Sequence, residues 1–489
     1  MKKLKHLTVI IFGVFFVLYN VRAAGSLELS QKEVADLAGP TVVKVVQHVK
    51  GQAVVPPINV DFKNFTVTTR SDVAPQTIPI DEYLTGSGVI VSPDGYILTN
   101  SHIISYQTIK NLVVSDFIYD AIENGYAGLG EEEAKALAES RSPESVVSFG
   151  EEIANYILAQ SKFELQKNVV VLNPISQKSS LEELVEDGFP AAVISVNDDF
   201  FRDSRDAALL KIDQLNLPAI ELNLGGDVST GKQVYIFGYP STAEVSEKDV
   251  LVPTFTQGTV SATKDSPNKD FKILQTDAKI SRGSSGGPLL DENGRAIGLV
   301  TFITSDLTQQ DGDSFAFAIP IETALAIVEK NKVTGELPKS FESGTCGIHF
   351  EKGIGYLHAS RCKKTMAEFD LARQVNEKFP VAGFLGPYAK QCEEIIKAGQ
   401  SVDTPWELIK SKLNDTRYLI GFIALIVLFL VGVLALLWLW LFRRVRKDEK
   451  ELDNVEEYMH LDLEDGTPIP GKSCRCVTDK PEKNPKDRQ

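Results

Sequence analysis

Gly86-Ser87-Gly88-Val89-Ile90-Val91-Ser92-Pro93-Asp94-Gly95-Tyr96-Ile97-Leu98-Thr99-Asn100-Ser101-His102 is the stretch on which the reading of this chain turns. Two apolar runs, Val89 to Val91 and Tyr96 to Leu98, flank Pro93-Asp94-Gly95, and Asp and Gly tolerate the backbone of a tight turn. The segment reads as a β-hairpin that delivers a histidine at its end. The same texture recurs outward from it. Thr41 to Val46, Gln233 to Phe237 and Ala296 to Val300 are short β-like runs between Gly, Pro and Asp turns. Many short strands with turns between them predict a mainly β architecture over residues 26–335, a sandwich or a pair of barrels.

Two segments interrupt that texture. Glu131 to Ser140 is rich in Glu, Ala, Lys and Leu, and Val146, Phe149, Ile153, Tyr156 and Ile157 recur at helical spacing after Pro143. This predicts a helical insertion at about 121–165, either a packed decoration or a substrate gate. Val54 to Glu82 is turn-rich with several prolines and reads as a long surface loop.

Downstream of His102 come Asp206-Ala207-Ala208-Leu209-Leu210-Lys211-Ile212 and Gly283-Ser284-Ser285-Gly286-Gly287-Pro288-Leu289. A serine hydroxyl is a poor nucleophile near neutrality. It needs an imidazole base, and the imidazole needs a carboxylate to fix its tautomer and stabilise its charged form. The chain supplies all three in the order His, Asp, Ser. The glycines around Ser285 let the N–H groups of Gly283 and Ser285 converge as an oxyanion hole, worth about 3–4 kcal/mol per donor in comparable sites.

At these residues, and over about Ser26 to Lys332, the chain resembles the HtrA (Deg) family of trypsin-like serine proteases. Gly231 to Pro240, Gln275-Thr276-Asp277-Ala278 and Phe315 to Pro320 carry the resemblance further. It implies the chymotrypsin-like double β-barrel, with His102 as general base, Asp206 as its orienting carboxylate and Ser285 as nucleophile. Asp203 is the weaker candidate for the carboxylate, because only Asp206 directly precedes the apolar Leu-Leu-Lys-Ile run. The resemblance also implies protein or peptide substrates and a homotrimer. Neither it nor the residues call for a cofactor or a metal.

The chain departs from the family pattern in three places. Ser284 stands before the nucleophile where Asn is usual. The insertion lengthens the interval between His102 and Asp206. No PDZ pattern follows the protease region. In such folds the strand after the nucleophile, here about Val300 to Ile303, lines part of the specificity pocket; it lacks an acidic residue, so the resemblance favours cleavage at small or medium aliphatic side chains over Lys or Arg.

Composition bounds the surroundings. Lys plus Arg is 51 and Asp plus Glu is 66, for a net charge of −15, which argues against a nucleic-acid binder. Lys2, Lys3 and Lys5 precede an apolar run from Leu7 to Leu18 and then Val21-Arg22-Ala23-Ala24, the order of a signal peptide over residues 1–23 or of an uncleaved anchor. Tyr418 to Phe442 holds no charged residue and is long enough to cross a hydrocarbon core of about 30 Å. Arg443, Arg444, Arg446 and Lys447 follow it, as the positive-inside rule expects of a cytoplasmic flank.

Residues 339–417 then read as a small juxtamembrane region. It has a Gly-rich start at Gly344 to Gly355, followed by helices at Lys364 to Lys378, Pro387 to Ala398 and Pro405 to Leu413. Residues 443–489 read as a disordered cytoplasmic tail. Cys346, Cys362 and Cys392 admit one disulfide, a zinc site with His349 and His358, or buried thiols. Asn64-Phe65-Thr66 and Asn414-Asp415-Thr416 match glycosylation acceptors. Together these readings lead to the expectation of a membrane-tethered serine endopeptidase acting on extracytoplasmic proteins. A binding or sensing receptor on the same fold, with little or no activity, is the rival.

Overall fold

The computed structural model describes residues 29–461 apart from 62–63, 124–134, 136–141, 175, 226–227, 242–245, 247–248, 267–269, 304–315, 340, 342, 376–380, 405–406 and 408–415. The expected signal peptide, the tail beyond 461 and all of Glu131 to Ser140 except Lys135 lie outside the described residues. The chain divides into two compact units, residues 1–404 and 405–489.

Two closed antiparallel barrels of six strands each dominate the first unit. The first contains β1 (Val42–Val55), β4 (Gln76–Ile90), β5 (Tyr96–Thr99), β6 (Lys162–Val171), β7 (Phe189–Ser195) and β8 (Ala208–Ile212), joined in the order β1-β4-β5-β8-β7-β6. The second contains β9 (Gln233–Gly238), β10 (Thr254–Asp265), β11 (Lys272–Thr276), β12 (Pro288–Leu290), β13 (Ala296–Ile303) and β14 (Ala316–Pro320), joined as β10-β11-β14-β13-β12-β9. Val43, Val45, Ile90, Ile97, Leu210 and Ile212 fill the first barrel, and Val234, Ile236, Val260, Leu274, Leu289 and Val300 the second. A third core, with Val89, Leu98, Leu209, Tyr235, Leu290 and Leu299, brings strands of both barrels together. Closure removes the sheet edges that would otherwise expose unpaired backbone groups.

The first barrel carries an outgrowth. β1 pairs with β4 from Val42↔Val89 to Val55↔Gln76, and with β6 from Val45↔Val171 to Val54↔Lys162, so these strands run well past the barrel. Their outer ends, a small hairpin of β2 (Ile58–Asp61) and β3 (Thr66–Thr69), and two helices, α3 (Tyr106–Glu123) and α4 (Pro143–Gln160), enclose a separate core. Val49, Ala53, Ile58, Val60, Ile80, Val113, Phe149, Ile153 and Ile157 are buried there.

The expected surface loop at 54–82 is therefore corrected to strands. Ile58 and Val60, and later Ile78 and Ile80, alternate with polar residues at the period of a strand. Among the described residues, Pro79 sits in β4 where its one partner strand is β1, since β5 meets β4 at Val89 and Ile90, and an edge position tolerates a missing N–H. The helical part of the insertion begins at Tyr106, earlier than the expected start near 121, and the segment around 165 is strand β6.

α1 (Gln31–Ala38) opens the described chain. Ser30 caps it by accepting from the Glu33 N–H, while the Glu33 carboxylate accepts from the Ser30 N–H, a reciprocal capping box. After α7 (Ile321–Lys330) come α8 (Thr345–His358), α9 (Cys362–Val375) and α10 (Val381–Lys397). The Gly-rich start expected at 344–355 is mostly helix. Cys346, Phe350, Ile354 and Leu357 fall on one buried face, and a Cβ at Gly353 would lie 2.3 Å from the Phe369 ring, so glycine there lets α8 and α9 approach. Of the three alternatives left open for Cys346, Cys362 and Cys392, the structure has buried free thiols within this helical core. His349 bonds to Glu368 and His358 to Asp36. No group of three metal-ligating side chains comes together among the described residues.

In the second unit, α11 (Thr416–Leu461) contains Ile426–Arg444, with a mean hydropathy of 2.5 and no buried share, long and apolar enough to cross a membrane, and the helix continues over 443–461, which corrects the expected disorder of the tail there. The expected helix at 405–413 lies outside the described residues except for Glu407.

Candidate active site

The β4–β5 hairpin ends at a short helix, α2 (Ser101–Ile104), that presents His102. Its position is set by the residues that lead into β8. The Asn100 side-chain amide donates to the Asp206 carbonyl at 2.6 Å, and the Ser101 hydroxyl donates to the Ala207 carbonyl at 2.8 Å. These two residues are fully buried and act as pins between β5 and β8.

The Asp206 carboxylate meets His102 twice. One oxygen lies 2.6 Å from the imidazole Nδ1, and the other accepts from the His102 backbone N–H at 2.9 Å. The Thr301 hydroxyl donates to Asp206 Oδ2 at 2.7 Å. Burial by itself would push the Asp206 carboxyl up, but the His102 charge and the hydrogen bonds from His102 and Thr301 outweigh it and hold the group below its ordinary range. A carboxylate kept ionised here fixes the tautomer that leaves Nε2 as the basic nitrogen. Asp203, the other carboxylate considered, accepts instead from Asn197 and from the Arg205 N–H, each at 2.9 Å. Phe200, on α6 (Phe200–Asp203), which follows α5 (Leu181–Glu186), is nearly buried with its ring 6.3 Å from the imidazole.

Ser285 lies in the turn before β12. Among the described residues, the N–H groups of Ser284, Gly286 and Gly287 donate to the carbonyls of Ser281, Val300 and Ser284, whereas those of Gly283 and Ser285 have no acceptor. Gly283 and Gly286 take φ of +99° and +84°, a backbone open to glycine. Two N–H groups of one turn are thereby left available, as an anion site requires. The Ser285 hydroxyl donates to the Thr301 carbonyl at 2.8 Å, so its proton is aimed along β13.

Ser87 was not singled out from the sequence, yet it joins the two barrels at this point. Its N–H donates to the Ser285 carbonyl and its hydroxyl to the Gly283 carbonyl, both at 2.7 Å, and the hydroxyl accepts from the Tyr239 N–H at 2.8 Å. Thr301 was missed too, except as part of the strand Val300 to Ile303. The one available signal for Ser87 was its place between Gly86 and Gly88 in the quoted hairpin.

Comparison with known proteins follows the same residues. Residues 86–299 match the family model described as a trypsin-like peptidase domain. A putative serine protease HhoB of Synechocystis is 33% identical over 150 residues, 29% of this chain and 32% of that protein. A probable periplasmic serine endoprotease DegP-like of Pseudomonas fluorescens is 34% identical over 140 residues, 28% of this chain and 27% of that protein. A mitochondrial serine protease HTRA2 of Drosophila willistoni is 28% identical over 200 residues, 39% of this chain and 41% of that protein. The match thus spans about a third of the length of these relatives. A solved HtrA-type protease, AlgW with a decapeptide, aligns over 62% of this chain and 67% of that chain at 21% identity, with a TM-score of 0.33. Over residues 86–299 the chain carries a trypsin-like peptidase domain, and in this region it is similar to serine proteases of the HtrA (Deg) type.

Proposed function

We propose that the chain is a serine endopeptidase in which Ser285 attacks the scissile carbonyl, His102 takes its proton, Asp206 orients and stabilises the imidazolium, and the N–H groups of Gly283 and Ser285 hold the oxyanion. The observation that carries this reading is the Asp206–His102 pair, bonded at 2.6 Å, on the barrel joined through Ser87 to the Gly283–Ser285 turn. Attack yields an acyl-enzyme and releases the amine, which receives its proton from His102. Water, activated by the same imidazole, then hydrolyses the ester. The substrates are proteins or peptides, and α11 tethers the protease to a membrane with residues 24–417 on the extracytoplasmic side.

The Ser285–Thr301 bond favours a second reading, in which the chain is a binding or sensing receptor that keeps the protease fold. In the peptidase, a rotation about the Ser285 Cα–Cβ bond moves the hydroxyl from the carbonyl to the imidazole. Labelling by a fluorophosphonate decides between the two. Rapid modification of Ser285, with peptide hydrolysis lost in Ser285→Ala, supports the peptidase. A folded parent chain that neither labels nor cleaves overturns it.

A further inference from the structure

The insertion between His102 and Asp206 returns to the His102 turn at both of its ends. Thr108, in the first turn of α3, donates its hydroxyl to the His102 carbonyl at 2.6 Å. Lys167, on β6 where the chain leaves the outlying core, donates its ammonium to the Ile104 carbonyl at 2.8 Å. Ile104 closes α2, and the last carbonyls of a helix have no partner within it. A cation at that end also complements the local dipole.

Nothing about a surface lysine requires this placement. The Lys167 ammonium lies 4.4 Å from the Tyr106 ring centroid, is half-buried, and is pushed down by desolvation, which the Asp198 charge partly counters. Asp198 reaches the same turn by accepting from the Ser105 hydroxyl, and Gln47 of β1 donates weakly to the Ser105 carbonyl at 3.4 Å. The carbonyls of His102, Ile104 and Ser105 are each taken by a side chain from a different element.

We infer that Lys167, with Thr108, is a positioning residue for His102: the insertion braces the turn that presents the base, through the Ile104 and His102 carbonyls. This rests on the peptidase reading. Asp206, just before β8, holds the imidazole, while Thr108 and Lys167 hold the backbone of the turn that carries it. Loss of either lets the ring drift from the serine, and a displacement of this kind slows the chemical step rather than substrate binding.

The experiment compares the full chain with Lys167→Met, Lys167→Arg, Thr108→Val and Ser285→Ala on one peptide substrate, with thermal unfolding and fluorophosphonate labelling alongside. Lys167→Met is expected to lower kcat and the labelling rate about ten-fold with KM within about two-fold, and Lys167→Arg to restore most of the loss. Thr108→Val is expected to move kcat in the same direction. If Lys167→Met keeps the parent kcat while Ser285→Ala is inactive, the bracing role is wrong and the peptidase reading stands. If kcat, KM and the unfolding temperature all deteriorate and Lys167→Arg fails to restore them, Lys167 serves the fold alone and the inference also falls. A parent that neither cleaves nor labels overturns both.

Discussion

Thr301 touches two members of the candidate triad through different atoms: its hydroxyl donates to Asp206 at 2.7 Å, and its carbonyl accepts from Ser285 at 2.8 Å. These roles separate by substitution. Thr301→Val keeps the carbonyl and the side-chain shape but deletes the donor to Asp206. We expect kcat/KM to fall about ten-fold, equivalent to about 1.4 kcal/mol, with recovery in Thr301→Ser. Steady-state kinetics on a peptide substrate checks this.

Asp206 makes the fold sensitive to acid. Its carboxyl is held below the usual 3.8, so the unfolded chain binds the proton more tightly than the folded one. The stabilisation is complete above the unfolded value and is lost as pH falls through the folded one. Urea unfolding between about pH 5 and pH 2 should show a steeper loss in the parent than in Asp206→Asn. Equal slopes would contradict the assignment.

Gly286 leaves no room for a side chain. A Cβ there would lie 2.0 Å from the Ser87 carbonyl oxygen, and φ is +84°. Gly286→Ala is expected to cost about 3 kcal/mol or more and to abolish labelling of Ser285, because the obstruction is backbone that cannot rotate away. Denaturant midpoints with labelling provide the measurement.

Asp36 ties α1 to the helical core near the end of the first unit. It accepts from the Tyr388 hydroxyl and His358 Nε2, each at 3.0 Å, and is 9% exposed. Asp36→Ala strands both donors and should destabilise the chain by about 2 kcal/mol. Chemical denaturation monitored by circular dichroism tests it, with Asp36→Asn expected to be the milder change.

The helical core also shields its thiols. Desolvation pushes Cys346 up to about 11. Desolvation, with the neighbouring Cys392, pushes Cys362 up to about 12. Thiolate is the reactive form, so iodoacetamide at pH 8 should leave both unmodified in the native protein and alkylate them in urea. Mass spectrometry of the two reactions gives the answer.

The hairpin that delivers His102, the strands flanking Ser285 and the apolar run in α11 were legible because local patterns carry them: a turn tripeptide between apolar runs, glycines around a serine, an uninterrupted apolar segment. The outgrowth was not. Prolines at positions 56, 57 and 79 suggested a loop, and the edge character that accommodates Pro79 exists only once β1 lies beside β4. The glycines of α8 suggested an irregular stretch, whereas they sit in a helix, where Gly353 admits the Phe369 ring of α9 and Gly355 meets open space. Ser87, Thr301 and Lys167 were hidden for a related reason. Their partners, Gly283, Asp206 and Ile104, are far along the chain, and a hydrogen bond between distant residues leaves no period in the sequence.

The shared strand β1 has a consequence for how the first unit comes apart. Val43 and Val45 belong to the barrel interior, and Val49, Ala53 and Val55 to the outlying core, on one continuous ladder. The outgrowth is thus no appendage that frays alone: the same backbone bonds that protect it run into the barrel, and amide exchange along β1 should reveal one cooperative opening spanning both cores.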